Sequence, residues 1–588
     1  MDGPTRRDVL KVAGVAGAVA LLCDDLPVAE AAGSAIVPHR STSGVSLPPR
    51  GASFMKFSFD APEPSVRFAG LELGVTVFSH ENAYHLDERK LRVEAVGEGV
   101  RLIGDGLVWA GGQESAPGRV EVTLRRAGAW IEWDITAELA RPIKAVSSII
   151  RGLPRGHVGA GGGTPIDVHD DELLFGYPFG GGDLFGGNPA ASIATPLVVI
   201  QDGARCHFIA SLDDRVRAKR FYLQPGEQGY RIEAIHEVEG WQPQTRVTVP
   251  RWRVGQAASP EAAVASHVQH LERAYRIPRW DARSDVPAWL RRTALVVTLH
   301  GMHFTGYVFN TFRRMLDILR WMAPQIPPDR VLVFLPAWDG RYYWDYPEYR
   351  AAARLGGETE LRRLIHDGKR LGYRFVPMFG ANTANRRSPA FARFADAATS
   401  KIDDDRMDLN WVDWDNDRHQ DGWAAYLNLG VESWRRWLTD RIAAAIDTYD
   451  IDGYFLDIVG GWVNNPRADM HEGVRRLVGE LRQRYPRVLP CGEFHYDALL
   501  ELIPLYHVYA THAVPFARFF SHLSHPAPGR GSSGVHESGF SPFDPRTLAL
   551  ARREGLLPTL SVVDDTFTAH QQEMSAVIRE ARQRAGLG

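Results

Sequence analysis

Two acidic residues stand at the ends of short apolar runs, 36 positions apart (493 − 457 = 36): Asp457 closes DGYFLD, and Glu493 lies in VLPCGEF. Tyr454, Phe455 and Leu456 in the first run, and Val488 and Leu489 in the second, show no polar alternation and lie between breakers. Each run therefore predicts a buried parallel strand with an acid at its C-terminal end. Between them Val474, Leu477, Val478 and Leu481 recur at helical spacing. A strand, helix, strand unit crosses over right-handed, so its two strands are neighbours and both acids emerge on one face of the sheet. Retaining glycosidases need two carboxyl groups about 5 to 5.5 Å apart, one to attack the anomeric carbon and one to protonate the departing oxygen. Strands about 4.8 Å apart can supply that spacing. Asp457 is the candidate nucleophile and Glu493 the candidate acid/base. The plainer alternatives are an Asp that caps the next turn and a buried Glu paired with an arginine.

Such acids need a frame. Apolar runs at 294–299, 331–335, 375–379, 454–456, 488–489, 508–510 and 560–563 alternate with helical segments, of which Phe312, Met315, Leu316, Leu319 and Trp434, Trp437, Leu438, Ile442 are the clearest. This pattern over residues 290–588 predicts an α/β (β/α)8 TIM-type barrel, its eighth strand hidden in the breaker-rich stretch 511–557. Residues 50–256 read instead as strands. Ile131, Trp133 and Ile135 alternate with Glu132 and Asp134, Val120, Val122 and Leu124 with Glu121 and Thr123, and turn signals at 104–106 and 126–128 fall at hairpin spacing. An N-terminal antiparallel β-sandwich is expected. Its Gly-rich segment, 159–188, is either a loop toward the active site or a surface insertion. Ser259 and Pro260 open a helix within a linker, 257–289. The chain is thus multidomain.

A length of 588 residues exceeds one core, and 44% hydrophobic with 24% charged residues argues against disorder. The net charge of −3 gives no basic field for nucleic acid. Arg6 and Arg7 precede an apolar run that ends near Ala29, Glu30 and Ala31. Residues 1–34 therefore read as a twin-arginine signal peptide, with Val9 where Phe is usual, and the protein as exported to the periplasm or beyond. Outside the signal only Cys206 and Cys491 occur, so a disulfide framework is not expected. No later apolar run is long enough to predict a membrane span.

Residues 428–461, NLGVESWRRWLTDRIAAAIDTYDIDGYFLDIVGG, resemble the approach to the catalytic strand in retaining α-glycosidases of the broad α-amylase and α-galactosidase superfamily. In those enzymes an Asn/Gly turn and an Arg/Trp-bearing helix precede a D-G-x-x-x-D strand whose last Asp is the nucleophile. The resemblance implies Asp457 as nucleophile, Glu493 as acid/base, α-linked oligo- or polysaccharide substrates, and a β-sandwich before the barrel as in endo-α-N-acetylgalactosaminidases. The chain departs from the α-amylase pattern at Phe455, where those enzymes carry Arg.

Polar and aromatic residues after other strands are candidate sugar contacts: His300, Trp338, Asp339, Asn382, His495, Tyr496, His512, Asp564 and Asp565. No organic cofactor is implied. WVDWDNDRHQDGW at 411–423 offers alternating oxygens to a structural Ca2+ or side chains to a sugar site. Two alternatives stand beside the hydrolase: a carbohydrate-binding protein without turnover, and a metal-dependent hydrolase built on His300, His303 and Asp564 or Asp565.

Overall fold

Runs such as LVVTL and VLVFL have no polar face to offer water, and both are buried along their whole length as neighbouring parallel strands. The computed structural model describes residues 45–46, 64–109, 112–163, 165–168, 172–178, 191–303, 306–341, 344–400, 423–508, 523–524 and 557–588. The expected signal peptide, His512, residues 164, 169–171 and 179–188 of the Gly-rich segment, and all of 411–423 except Trp423 lie outside these residues.

Eight strands form one parallel sheet: β1 Leu295–Leu299, β2 Val331–Leu335, β3 Arg374–Gly380, β4 Gly453–Asp457, β5 Leu489–Glu493, β6 Leu505–Val508, β7 Leu523–Ser524 and β8 Thr559–Val562. They stand in chain order, with β8 on the far side of β1. The sheet is a curled half-barrel, and no pairing of β7 with β8 is seen among the described residues. Among the described residues the stretch 511–557 contributes the two-residue β7 to it. Glu493 is the last residue of β5, because that strand runs beyond the apolar pair through Pro490, Cys491 and Gly492.

Helices lie between the strands. Ser259 caps α1, Pro260–Ala274, by accepting the Ala262 N–H at 3.2 Å. α2 is Phe312–Met322, α3 Gly357–Leu371, α4 Glu432–Tyr449, α5 Met470–Arg484 and α6 Gln571–Arg584. The stripe Val474, Leu477, Val478 and Leu481 is buried on α5, and Asp469 caps that helix through the His471 and Glu472 N–H groups.

The region before α1 is one connected and mainly antiparallel sheet. Its longest strand, Trp130–Leu153, pairs over its first half with Gly118–Ala127 and Gln244–Ala257, and over its second half with Leu71–Ser79 and Gly229–Glu237. Register shifts between Glu138 and Ala145 mark the change of neighbours. The turn at 126–128 closes a hairpin, Ala127 facing Trp130. The turn at 104–106 does not: Gly99–Gly104 and Leu107–Trp109 pair with different partners, so the chain crosses there from one ladder to another.

Asp452 ties the base of three parallel strands. Its carboxylate accepts the Phe375 N–H and an Arg374 N–H, both at 3.0 Å, while its backbone bonds Phe375 and Leu489. Asp452→Ala leaves the Phe375 N–H without an acceptor, a loss of about 1 to 3 kcal/mol. Thermal unfolding of this variant is expected several degrees below wild type, and an unchanged midpoint would show that the tie carries no stability.

Candidate active site

Parallel register places the two acids side by side. β4 and β5 pair as Gly453 with Leu489 through Leu456 with Gly492, and one further step sets Asp457 beside Glu493. In-register residues on adjacent strands point to the same face, so the two side chains must meet. Both are buried, each 4% exposed, and their carboxyl groups hydrogen-bond to one another. Burial pushes the Glu493 carboxyl well above its ordinary range, and the neighbouring Asp457 pushes it further. Burial and the neighbouring acid thus both favour the protonated form of Glu493. No arginine is among the groups that shift Glu493.

The turn after β4 supports this contact. The Ile458 N–H donates to Glu493 Oε2 at 3.0 Å, and the Ile458 carbonyl accepts from Asn382 Nδ2 at 2.9 Å. Asn382 also donates to the Gly461 carbonyl at 3.0 Å. Ile458 has φ +50°, a left-handed conformation that a β-branched residue adopts only when its surroundings impose it. Phe494 (+56°), Ala337 (+52°), Tyr349 (+48°) and Asp564 (+43°) share that region, all in segments that follow the C-terminal ends of parallel strands. Gly460 is required by close approach: a Cβ there would lie 2.7 to 2.8 Å from Phe494.

Asp339 follows β2 and is buried, and among the described residues neither of its carboxyl oxygens has a hydrogen-bond partner of good geometry. Burial pushes its pKa well above the ordinary value. Burial first, and then Asp339 and Asp457, push up the Tyr349 hydroxyl, which donates to the Gly380 carbonyl at 3.1 Å and accepts its N–H at 3.0 Å. Asp339, Tyr349 and Asp457 are therefore electrostatically linked, and burial favours the neutral form of Asp339. Nothing local in the sequence marks Tyr349, since it reaches Gly380 from a loop.

The other sequence-predicted residues divide. Asn382 holds the turn after Asp457, as described. Trp338 is 1% exposed, donates Nε1 to the Met378 carbonyl at 2.9 Å and packs edge-on to Phe379 and Tyr449. Tyr496 has its hydroxyl on His471 Nδ1 at 3.0 Å and its ring edge-on to Tyr177. His495 packs against Tyr506. His300 and His303 both pack edge-on to Phe309. Asp564 accepts the Tyr307 hydroxyl at 2.6 Å, and Asp565 opens the short helix Thr566–Ala569. Among the described residues no group of three His, Cys, Asp or Glu is placed to hold a metal. The metal-dependent reading built on His300 and His303 loses its ligand set there. Trp423 stacks on Trp344, centroids 4.3 Å apart and planes within 6°, a pairing across 79 residues that no local pattern marks.

A recess of about 740 Å³ lies at the opposite end of the strands, lined by α3 and the end of α4. Two of its cations are engaged, Arg362 with Glu358 and Lys369 with Asp450.

No protein-family model matches this sequence, and no curated protein matches it. Solved structures do resemble its fold. An α-N-acetylgalactosaminidase, NagBb from Bifidobacterium bifidum, aligns as a quadruple mutant with TM-score 0.64 at 13% identity, over 89% of this chain and 92% of that one. The same enzyme bound to GalNAc aligns with TM-score 0.58 at 12% identity, over 78% and 83%. At these identities what is shared is the fold.

The raised Glu493 has a thermodynamic sign. Between the ordinary value of 4.5 and its raised value, the folded protein holds a proton that the unfolded chain releases, so stability from this group falls as pH rises through that window. Gln keeps an acceptor for Ile458 and gives Asp457 an amide donor. Glu493→Gln is therefore expected to melt above wild type at pH 8 and near it at pH 4.5; a difference independent of pH would contradict the raised Glu493 carboxyl.

Proposed function

We propose that this protein is a retaining glycoside hydrolase acting on α-linked sugars of an oligo- or polysaccharide. The observation that carries the reading is the buried, hydrogen-bonded pair Asp457 and Glu493 at the ends of adjacent parallel strands. The resemblance of 428–461 to retaining α-glycosidases supports the α linkage, and the fold shared with an α-N-acetylgalactosaminidase supports a galactose-type sugar. In this reading the half-barrel is part of a complete (β/α)8 barrel, the preceding sheet is a β-sandwich scaffold, and residues 1–34 direct twin-arginine export.

Asp457 attacks the anomeric carbon as the bond to the leaving oxygen breaks, and Glu493 transfers its proton to that oxygen. The products of this step are a glycosyl ester on Asp457, a free alcohol and a Glu493 carboxylate. Glu493 then takes a proton from water, whose oxygen attacks the same carbon and returns Asp457 as a carboxylate with the anomeric configuration retained. Tyr349 fixes the end of β3 beside Asp457, and the Asp339 carboxyl binds a sugar hydroxyl. His300, Asn382, His495, Asp564 and Asp565 are at most walls of this site.

Aryl α-galactosides and α-N-acetylgalactosaminides, beside their β anomers, test the reaction. Turnover is expected on an α anomer only, with the first-released sugar in the α form by NMR. Asp457→Asn should abolish it, and Glu493→Gln should lower it by about 10² to 10⁴-fold, the usual weight of general acid–base catalysis. Full turnover by both variants would refute the mechanism, and sugar binding without hydrolysis by wild type would leave a binding protein.

Asp339→Asn removes a buried acid that has no hydrogen-bond partner among the described residues. It is expected to raise the melting temperature slightly while raising KM. A lowered melting temperature with unchanged KM would place Asp339 in the scaffold.

A further inference from the structure

Four residues beyond Glu493, Asp497 is fully buried and faces the other domain. One carboxyl oxygen accepts the Tyr177 hydroxyl at 2.6 Å and the Ala498 N–H at 2.8 Å; the other accepts the Thr195 hydroxyl at 2.8 Å. The Asp497 N–H donates to the Ala194 carbonyl at 2.8 Å. Tyr177, Ala194 and Thr195 belong to the antiparallel domain, some 300 residues earlier in the chain.

A second shell of charge surrounds this contact. Lys219, 1% exposed, pairs with Asp213 at 2.8 Å and lies 5.2 Å from the Tyr177 ring centre. The Thr195 hydroxyl spends its one proton on Asp497, so His267 Nε2, 2.7 Å away, must be the donor to the Thr195 oxygen. Burial holds His267 neutral, down to about 3, which agrees with that single donated proton. Tyr275 contacts Tyr177 and completes the cluster. Burying so many polar groups costs stability unless each is partnered, and replacing them by apolar side chains would do the job of simple adhesion more cheaply.

What the network fixes is a five-residue segment. Glu493 begins it in the acid pair, Phe494 turns it through φ +56°, Tyr496 anchors on His471 and packs against Tyr177, and Asp497 ends it in the antiparallel domain. We propose that Asp497 is a positioning residue: held by Tyr177 and Thr195, it sets the segment that aims Glu493, so the antiparallel domain takes part in catalysis without touching substrate. This rests on the reaction proposed for Asp457 and Glu493.

The full-length chain tests it through Tyr177→Phe, Thr195→Val and Asp497→Asn, of which Tyr177→Phe removes a single oxygen and carries the test if Asp497→Asn fails to fold. The expected result is a fall in kcat of tenfold or more with KM within twofold, and an alkaline limb of the pH–rate profile displaced by half a unit or more. Amide exchange of the peptide spanning 494–501 should also accelerate in Tyr177→Phe while β1 to β3 stay protected. Variants that melt lower yet keep wild-type kcat, pH limb and exchange would reduce Asp497 to a domain fastener and overturn the inference. Exchange needs no turnover, so accelerated exchange in a protein that hydrolyses none of the glycosides would uphold the positioning link and sink the glycosidase reading instead.

Discussion

Two carboxyl groups forced together by strand register are the constraint on which this end of the sheet depends. Neither β4 nor β5 can slip by one residue without turning its acid to the opposite face. Once side by side and out of water, the acids cannot both ionise at ordinary cost, so the protonated form of Glu493 is favoured. Around the pair the backbone takes two strained turns, a left-handed isoleucine and a left-handed phenylalanine. Conformations of this kind cost about 1 to 3 kcal/mol each and persist only where the surroundings over-determine them. Here the surroundings are Asn382 on one turn and the Asp497 segment on the other.

The antiparallel domain is more than a neighbour. Buried apolar side chains from Val66 to Ala581 form one continuous cluster, so the two regions share a core. Specific polar contacts cross it at Asp497 and at Asn464, whose side chain donates to Glu237 and to the Val238 carbonyl while accepting the Gly240 N–H. Both contact points lie in the segments after β4 and β5. The loops that carry the acid pair are thereby backed by a second rigid sheet, where loops of this kind are otherwise the most mobile part of a parallel fold.

Periodicity made the strands and helices legible, because full burial removes polar alternation and an amphipathic helix repeats every three to four residues. The same signal put Asp457 and Glu493 at adjacent strand ends, and nothing more than the right-handed crossover was needed to bring them together. It failed where a side chain's direction is decided by distant chain. Trp338 follows a strand just as Asp339 does, yet one enters the core and the other the site, a difference of one residue that shows only in three dimensions. Tyr349, Asp497 and the Trp344–Trp423 stack draw their meaning from partners 31 to 320 residues away, and no local pattern encodes such pairs. The 104–106 turn failed differently: its residues make a good bend, but strand pairing beyond it is set by the rest of the sheet.

In the proposed reaction the resting contact must open, and the backbone cannot open it, because register and the Asp452 tie fix the strand spacing. Side-chain rotation must supply the added distance. Glu493 has one more torsion than Asp457 and is held at its carboxyl by a single backbone N–H, that of Ile458. Glu493 is therefore the group that swings and Asp457 the one that stays. A sugar entering between them exchanges the carboxyl–carboxyl hydrogen bond for one from Glu493 to the glycosidic oxygen and leaves Asp457 facing the anomeric carbon. In that proposed reaction burial, which raises the Glu493 carboxyl, favours the protonated form that the acid must have.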